Sequence, residues 1–202
     1  MPSLGQMKRL CIYCGSSPGS RPEYADAAQA CGRALAQSGV GVVYGGGNTG
    51  MMGRVANAAL EAQGEVIGVI PHHLADKELA HEGATQMIRV NSMHERKQLM
   101  ADLSDGFIIL PGGIGTLEEM FETYTWLQLG LHSKPIGLLN VAGFFDHLLT
   151  FLDHMVADQF LKSEHRSMLI VDDDVHRLIS RMAAFKAPDA EKWLETVAKE
   201  MR

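Results

Sequence analysis

Apolar and polar positions along this chain change period repeatedly, and the changes mark out strands and helices in alternation. Short apolar runs bounded by Gly, Pro or polar turns predict strands over 9–14, 40–44, 65–70, 86–90, 106–110, 135–139 and 168–171. Apolar residues spaced three and four apart predict helices over 25–37, 52–63, 93–103, 117–130, 144–157 and 175–185, with a polar helix over 189–201. In the 25–37 helix the apolar face is Ala27, Ala30, Cys31, Ala34 and Leu35; in the 117–130 helix it is Leu117, Met120, Phe121 and Tyr124, with Leu131 beyond. The stretch 72–83 is polar, holds His72, His73 and His81, and reads as a loop or irregular excursion whose role stays open.

Strands separated by helices of this length imply βαβ units. The expected fold is α/β: a Rossmann-like, doubly wound, mainly parallel sheet with helices on both faces, forming one nucleotide-binding domain over 1–202. Ligands of such sheets sit beyond the carboxyl ends of the strands, and two glycine-rich stretches, 45–50 and 112–115, fall at such ends.

The first stretch, Gly45-Gly46-Gly47-Asn48-Thr49-Gly50, has the spacing G-x-G-x-x-G between a strand and a helix. A dinucleotide fingerprint would follow the first strand and be answered by an acid on the next one. This loop follows the second strand, and the next ends in Ile70-Pro71-His72. Two readings stay open, a turn that needs glycine for its geometry and a seat for a single phosphate or ribose.

The second stretch is Pro111-Gly112-Gly113-Ile114-Gly115-Thr116, continuing into Leu117, Glu118 and Glu119. An apolar strand runs into glycines that bare backbone N–H groups and then into a helix start, which makes an anion site. The Lys of a Walker A loop is missing and the spacing differs, which excludes that mode of ATP hydrolysis. If Thr116 is the N-cap, Glu119 falls at N3 and completes a capping box. Its other reading is chemical: a carboxylate beside a bound phosphate is repulsive unless it handles water or ribose hydroxyls.

Ser92 and Glu95 form a capping box at the start of another helix, on which Arg96 falls within the stripe of Met93, Met100 and Leu103. A charge on a buried stripe needs a partner, either in a structural ion pair or in a substrate or catalytic carboxylate. Lys97 flanks the stripe, within reach of a phosphate.

Composition narrows the function. Of 202 residues, 46% are hydrophobic and 21% charged, which suits a globular core. The net charge of −6, with no cluster of Lys or Arg, argues against nucleic acid or an anionic membrane as partner. No run approaches the roughly 18 apolar residues of a membrane span, and the first residues lack the apolar segment of a signal peptide, so a cytoplasmic protein is expected. An odd cysteine count, three, suits a reducing compartment. Cys11 and Cys14 form C-x-x-C, but on a strand, where they face opposite sides and serve as buried packing. The nine histidines show no metal-ligand spacing; His147 and His154 share a helix face, and no metal is expected.

Taken together, Tyr44-Gly-Gly-Gly-x-x-Gly-Met-Met-Gly53, Met93-His-Glu-Arg-Lys97 and Pro111-Gly-Gly-Ile-Gly-Thr-Leu-Glu-Glu119 resemble the signatures of the LOG (Lonely guy) family of cytokinin riboside 5′-monophosphate phosphoribohydrolases. The likeness runs from about residue 9 to 180, with Met51 where the family often has Leu. It implies a Rossmann-like homodimer without metal or organic cofactor that cleaves an adenosine-type 5′-monophosphate to free base and ribose 5-phosphate. It places the essential Arg and Glu on Arg96 and Glu119. Phosphate and ribose contacts fall on Gly112, Gly113, Gly115 and Thr116, with Met93, Lys97, Gly45, Gly46 and Gly47 alongside. Two alternatives remain: a nucleosidase acting broadly on AMP and other monophosphates, and a nucleotide carrier without turnover.

Overall fold

The computed structural model describes residues 7–75 and 80–188, so the polar helix expected over 189–201 lies outside the described residues. Seven strands build one all-parallel sheet: β1 Arg9–Tyr13, β2 Gly41–Tyr44, β3 Val66–Pro71, β4 Gln86–Val90, β5 Phe107–Ile109, β6 Ile136–Leu139 and β7 Leu169–Asp172. Their order across the sheet is β4-β3-β2-β1-β5-β6-β7. The connecting helices are α1 Pro22–Gln37, α2 Gly50–Glu61, α3 His72–Ala75, α4 Met93–Asp102, α5 Ile114–Gln128, α6 Asp146–Ala157, α7 Ser163–Arg166 and α8 Val175–Ala183. The expected doubly wound α/β fold is the one present.

Period-two alternation sorts the strand residues between two cores. Along β1, Leu10 and Ile12, with Cys14 just beyond, pack among α1, α2 and α8, while Cys11 and Tyr13 pack on the opposite side with α4, α5 and α6. Cys11 and Cys14 therefore do face opposite ways, and Cys11, Cys14 and Cys31 are free thiols in the interior.

The chain winds outward from β1 to β4, then α4 carries it back to β5 on the other side of β1. Cys11 pairs with both Val43 and Phe107, so β1 is the strand at which the winding reverses. Beyond its carboxyl end the connections to either side part and leave a crevice.

Several boundaries differ from the sequence pattern. Helix α1 opens at Pro22, whose fixed φ and missing N–H suit a first helical position. Its buried face is Ala28, Cys31, Gly32, Ala34 and Leu35, while Ala30 is exposed and Ala27 half-buried. Leu131 lies past the end of α5, where Gly130 at φ 72° redirects the chain, and it is exposed. The excursion after β3 begins with the short helix α3. A 3-10 turn, Val141–Gly143, precedes α6, which starts at Asp146.

Candidate active site

Helix α5 starts earlier than its apolar spacing indicates. Its N-cap is Gly113 and its first residue Ile114, so Thr116 lies inside the first turn and Glu119 in the second. The capping box, one of the two readings of Glu119, is therefore absent. A glycine-rich opening carries no periodic apolar signal, which hid the true start. Thr116 is buried, and the space a Cβ on Gly112 would fill is taken by its Oγ1. Gly112 cannot carry a side chain for that reason, its Cβ position also lying 2.7 Å from the Gly15 amide nitrogen. Gly113 and Gly115 differ: a Cβ there would meet nothing within 4 Å. Their bareness serves no packing within the chain, and it leaves the N-terminal amides of α5 open to close approach by an anion.

Arg96 projects from α4 to the first glycine loop and is 6% exposed. Its Nη2 donates to the Gly45 carbonyl at 2.9 Å, and Nη1 lies 3.7 Å from Met93 Sδ. A Cβ on Gly45 would run into Nη2 and force the guanidinium to move. Arg96 Nε is buried and has no hydrogen-bond partner among the described residues. A guanidinium N–H in that state is an unmet donor of the kind a bound ligand satisfies. Ser92 caps the helix carrying it as the sequence indicates, its Oγ accepting from the Glu95 amide at 3.1 Å, while the Glu95 carboxylate reaches one residue further back than a capping box requires and accepts from the Asn91 amide at 2.8 Å.

A cleft of about 390 Å³ opens beyond the ends of β1, β2 and β5 and is lined by Gly45, Met93, Arg96, Gly113, Gly115, Thr116 and Glu119, with Cys14, Gly15 and Ser16 as its floor. The structure thus brings most of the sequence-derived candidates together at the strand where the winding reverses. Gly112 lines an adjoining apolar pocket of about 250 Å³ with Tyr24, Met51 and Phe144. Gly46 and Gly47 turn instead toward the excursion, where the Gly46 carbonyl accepts from the His81 amide and Gly47 bridges to Ala80.

Lys97 sits elsewhere than expected. Its Nζ donates to Glu118 at 2.5 Å and to Glu122 at 3.0 Å, so its charge is answered by α5 and not left to face a phosphate. Burial draws its pKa down, but the bonds to Glu118 and Glu122 outweigh burial and the net shift is upward. Around the floor, burial first and the Glu119 carboxylate second push the Cys14 thiol well above its ordinary value. A thiol so held ionises less readily than an exposed one, in keeping with a packing role for Cys14. Among the described residues, no group of three or more His, Cys, Asp or Glu side chains is placed to hold a metal ion.

The sequence pattern of the family described as "Possible lysine decarboxylase" matches residues 52–182. The cytokinin riboside 5′-monophosphate phosphoribohydrolase LOG5 of Arabidopsis thaliana is 47% identical over 181 residues, 90% of this chain and 79% of that one. The LOG enzyme of Oryza sativa is 43% identical over 89% of this chain and 74% of its own. The bacterial cytokinin riboside 5′-monophosphate phosphoribohydrolase of Rhodococcoides fascians is 45% identical over 90% of both chains. Among solved structures, the molybdenum cofactor binding protein of Rippkaea orientalis superposes with a TM-score of 0.67 at 19% identity, covering 89% of this chain and 97% of that one. The molybdenum cofactor carrier protein of Chlamydomonas reinhardtii gives 0.67 at 20% identity, covering 87% and 96%. These last two share the fold, while the sequence relatives fix the group: the chain belongs to the family described as "Possible lysine decarboxylase", within its LOG branch.

Proposed function

We propose that this protein is a cytokinin riboside 5′-monophosphate phosphoribohydrolase, hydrolysing the N-glycosidic bond of an N6-substituted adenosine 5′-monophosphate to free base and ribose 5-phosphate. The observation that carries this reading is the meeting of a buried arginine with an unmet N–H, a carboxylate and an open helix N-terminus in one cleft.

The 5′-phosphate rests on the backbone amides of 113–116, where the helix dipole and unpaired N–H groups favour an anion. Binding energy from that remote group positions the ribose over Glu119. As the C1′–N9 bond breaks, its electron pair goes to the base and positive charge builds on the sugar. Glu119 stabilises that charge and orients the attacking water, whose oxygen bonds to C1′. The proton released from water ends on the base, and Arg96 stabilises the negative charge that builds there first.

The carrier alternative lacks a use for Glu119, because a phosphate binder gains nothing from a carboxylate beside its anion.

We further infer a homodimer in the cytoplasm. Exposed apolar side chains at Leu129, Leu131, Phe151 and Phe160 offer surface for a second copy to cover, and three interior thiols suit a reducing compartment. No described helix is long and apolar enough to cross a membrane.

The deciding experiment is a product assay with AMP and with N6-isopentenyl-AMP, each with the parent protein and with Glu119→Gln. Free base and ribose 5-phosphate from the modified nucleotide, lost in the variant, support the proposal. Equal cleavage of AMP moves it to a broad nucleosidase, and tight binding without product moves it to a carrier.

A further inference from the structure

The first three residues of the first glycine loop, Gly45, Gly46 and Gly47, have no side chains with which to hold a shape, and a run of glycines is the most conformationally free backbone there is. Yet the Gly45 carbonyl must stay in one place to accept from Arg96 Nη2 at 2.9 Å. A displacement of about 1 Å would take that bond out of range. Something outside the loop has to grip it.

We propose that His81 is a positioning residue for Arg96, gripping the first glycine loop so that Gly45 stays under the guanidinium; the inference rests on the hydrolase reading of the cleft. His81 is 5% exposed and uses three polar groups at once. Its backbone N–H donates to the Gly46 carbonyl at 3.0 Å. Its Nδ1 accepts from the Gly83 amide at 3.1 Å, and its Nε2 lies 2.9 Å from Asn57 Oδ1. An amide N–H can only donate, so Nδ1 carries the lone pair, the ring proton sits on Nε2, and Nε2 donates to Asn57. Asn57 belongs to α2, the helix that begins at Gly50, where the glycine loop ends. The imidazole therefore ties the excursion to the helix behind the loop, while the amide of the same residue ties it to the loop itself. An antiparallel bridge from Ala80 to Gly47 adds a second hold one residue away. The glycine loop is clamped between α2 and residues 80–83, and Arg96 bonds to its fixed end.

The test is a double-mutant cycle on turnover of N6-isopentenyl-AMP with His81→Ala, Arg96→Ala and both together. His81→Ala is expected to lower kcat about tenfold with KM within about twofold of the parent, because only the leaving-group contact is disturbed. In the Arg96→Ala background the same change is expected to cost nothing further. His81→Gln, which returns an N–H donor to Asn57, should recover most of the loss. Hydrogen exchange of peptides spanning 45–50 should quicken in His81→Ala, while β1 and β5 stay protected. An undiminished kcat with only a lower Tm, a loss that persists in the Arg96→Ala background, or unchanged exchange of the loop overturns the proposal. If the parent protein releases no base from any nucleotide, the hydrolase reading fails instead, and exchange of the 45–50 peptides alone decides whether His81 grips the loop.

Discussion

Lys97 on α4 donates to Glu118 on α5 at 2.5 Å and, with its second bond to Glu122, locks together the two helices that carry Arg96 and Glu119. The Lys97 side chain is 8% exposed against 53% for Glu118 and 27% for Glu122, so the ammonium is the desolvated partner and the carboxylates keep part of their water. Lys97→Met is expected to lower stability by about 1.5–3 kcal/mol, the range for hydrogen bonds to charged groups. It should also lower turnover, since these bonds join α4 to α5 beside the cleft. Thermal unfolding and kinetics on the same preparation check this; parent-like values for both would show that the ion pairs do not set the helix spacing.

Glu119 lies in the second turn of α5, so its substitution removes no helix cap. Glu119→Gln is expected to reduce kcat by about 10²–10³-fold, as for removal of one charge-stabilising group, with KM within a few-fold. A variant that turns over like the parent would remove Glu119 from the reaction.

The three glycines of the second loop should respond differently to alanine. Gly115→Ala lies inside a helix with open space around its Cβ, and is expected to be neutral or stabilising by about 0.5–1 kcal/mol while raising KM. Gly113→Ala should likewise fold and bind poorly. Gly112→Ala is expected to disturb the fold, since its Cβ has no room beside Thr116 and Gly15. Measuring Tm and KM for all three tests whether 113 and 115 are bare for the ligand; unchanged KM in both would place the phosphate elsewhere.

Two histidines give the fold a pH limit. Burial lowers the pKa of His132 and of His165 below the ordinary 6.5. His132 accepts the Lys134 amide on Nδ1 and bonds the Thr123 carbonyl with Nε2, which requires the neutral ring. The unfolded chain therefore binds protons first as pH falls below about 6.5, so the stability these groups confer is complete above that value and is lost as pH falls through their folded pKa values. The urea midpoint should drop between pH 7.5 and 5.5, and a flat midpoint would contradict the assignment. A second loss is expected in stronger acid. Burial raises the Asp172 pKa, but the Asp174 amide, Arg181 and Arg177 outweigh it and hold the carboxyl at about 2, so its contribution fades from 3.8 down to about 2.

Local patterns carried much of this molecule. The alternation of Leu10, Cys11, Ile12 and Tyr13 marks a strand buried on both faces, and the spacing of Ser92 and Glu95 marks where α4 begins. Arg96 was visible as a charge on an apolar stripe. Its partner was not, because Gly45 lies on another strand-to-helix loop and offers only a carbonyl. The same holds for Lys97: its carboxylates belong to a different helix, and side-chain spacing says nothing about which helices come to lie side by side. The start of α5 was hidden by the glycines that make it useful. His81 was seen only as one of several histidines in a polar stretch; its neighbours Gly83, Asn57 and Gly46 give no local signal that they converge on it.

Because β1 lies between β2 and β5, the strands on which the two glycine loops stand are not neighbours, and they come together only when Cys11 has paired with Val43 on one edge and Phe107 on the other. The second of these contacts spans nearly half the chain, and such long-range closures are slow to form. During refolding, helical signal should therefore return well before catalysis does, and the appearance of turnover can serve as a clock for the closing of the sheet at its middle strand.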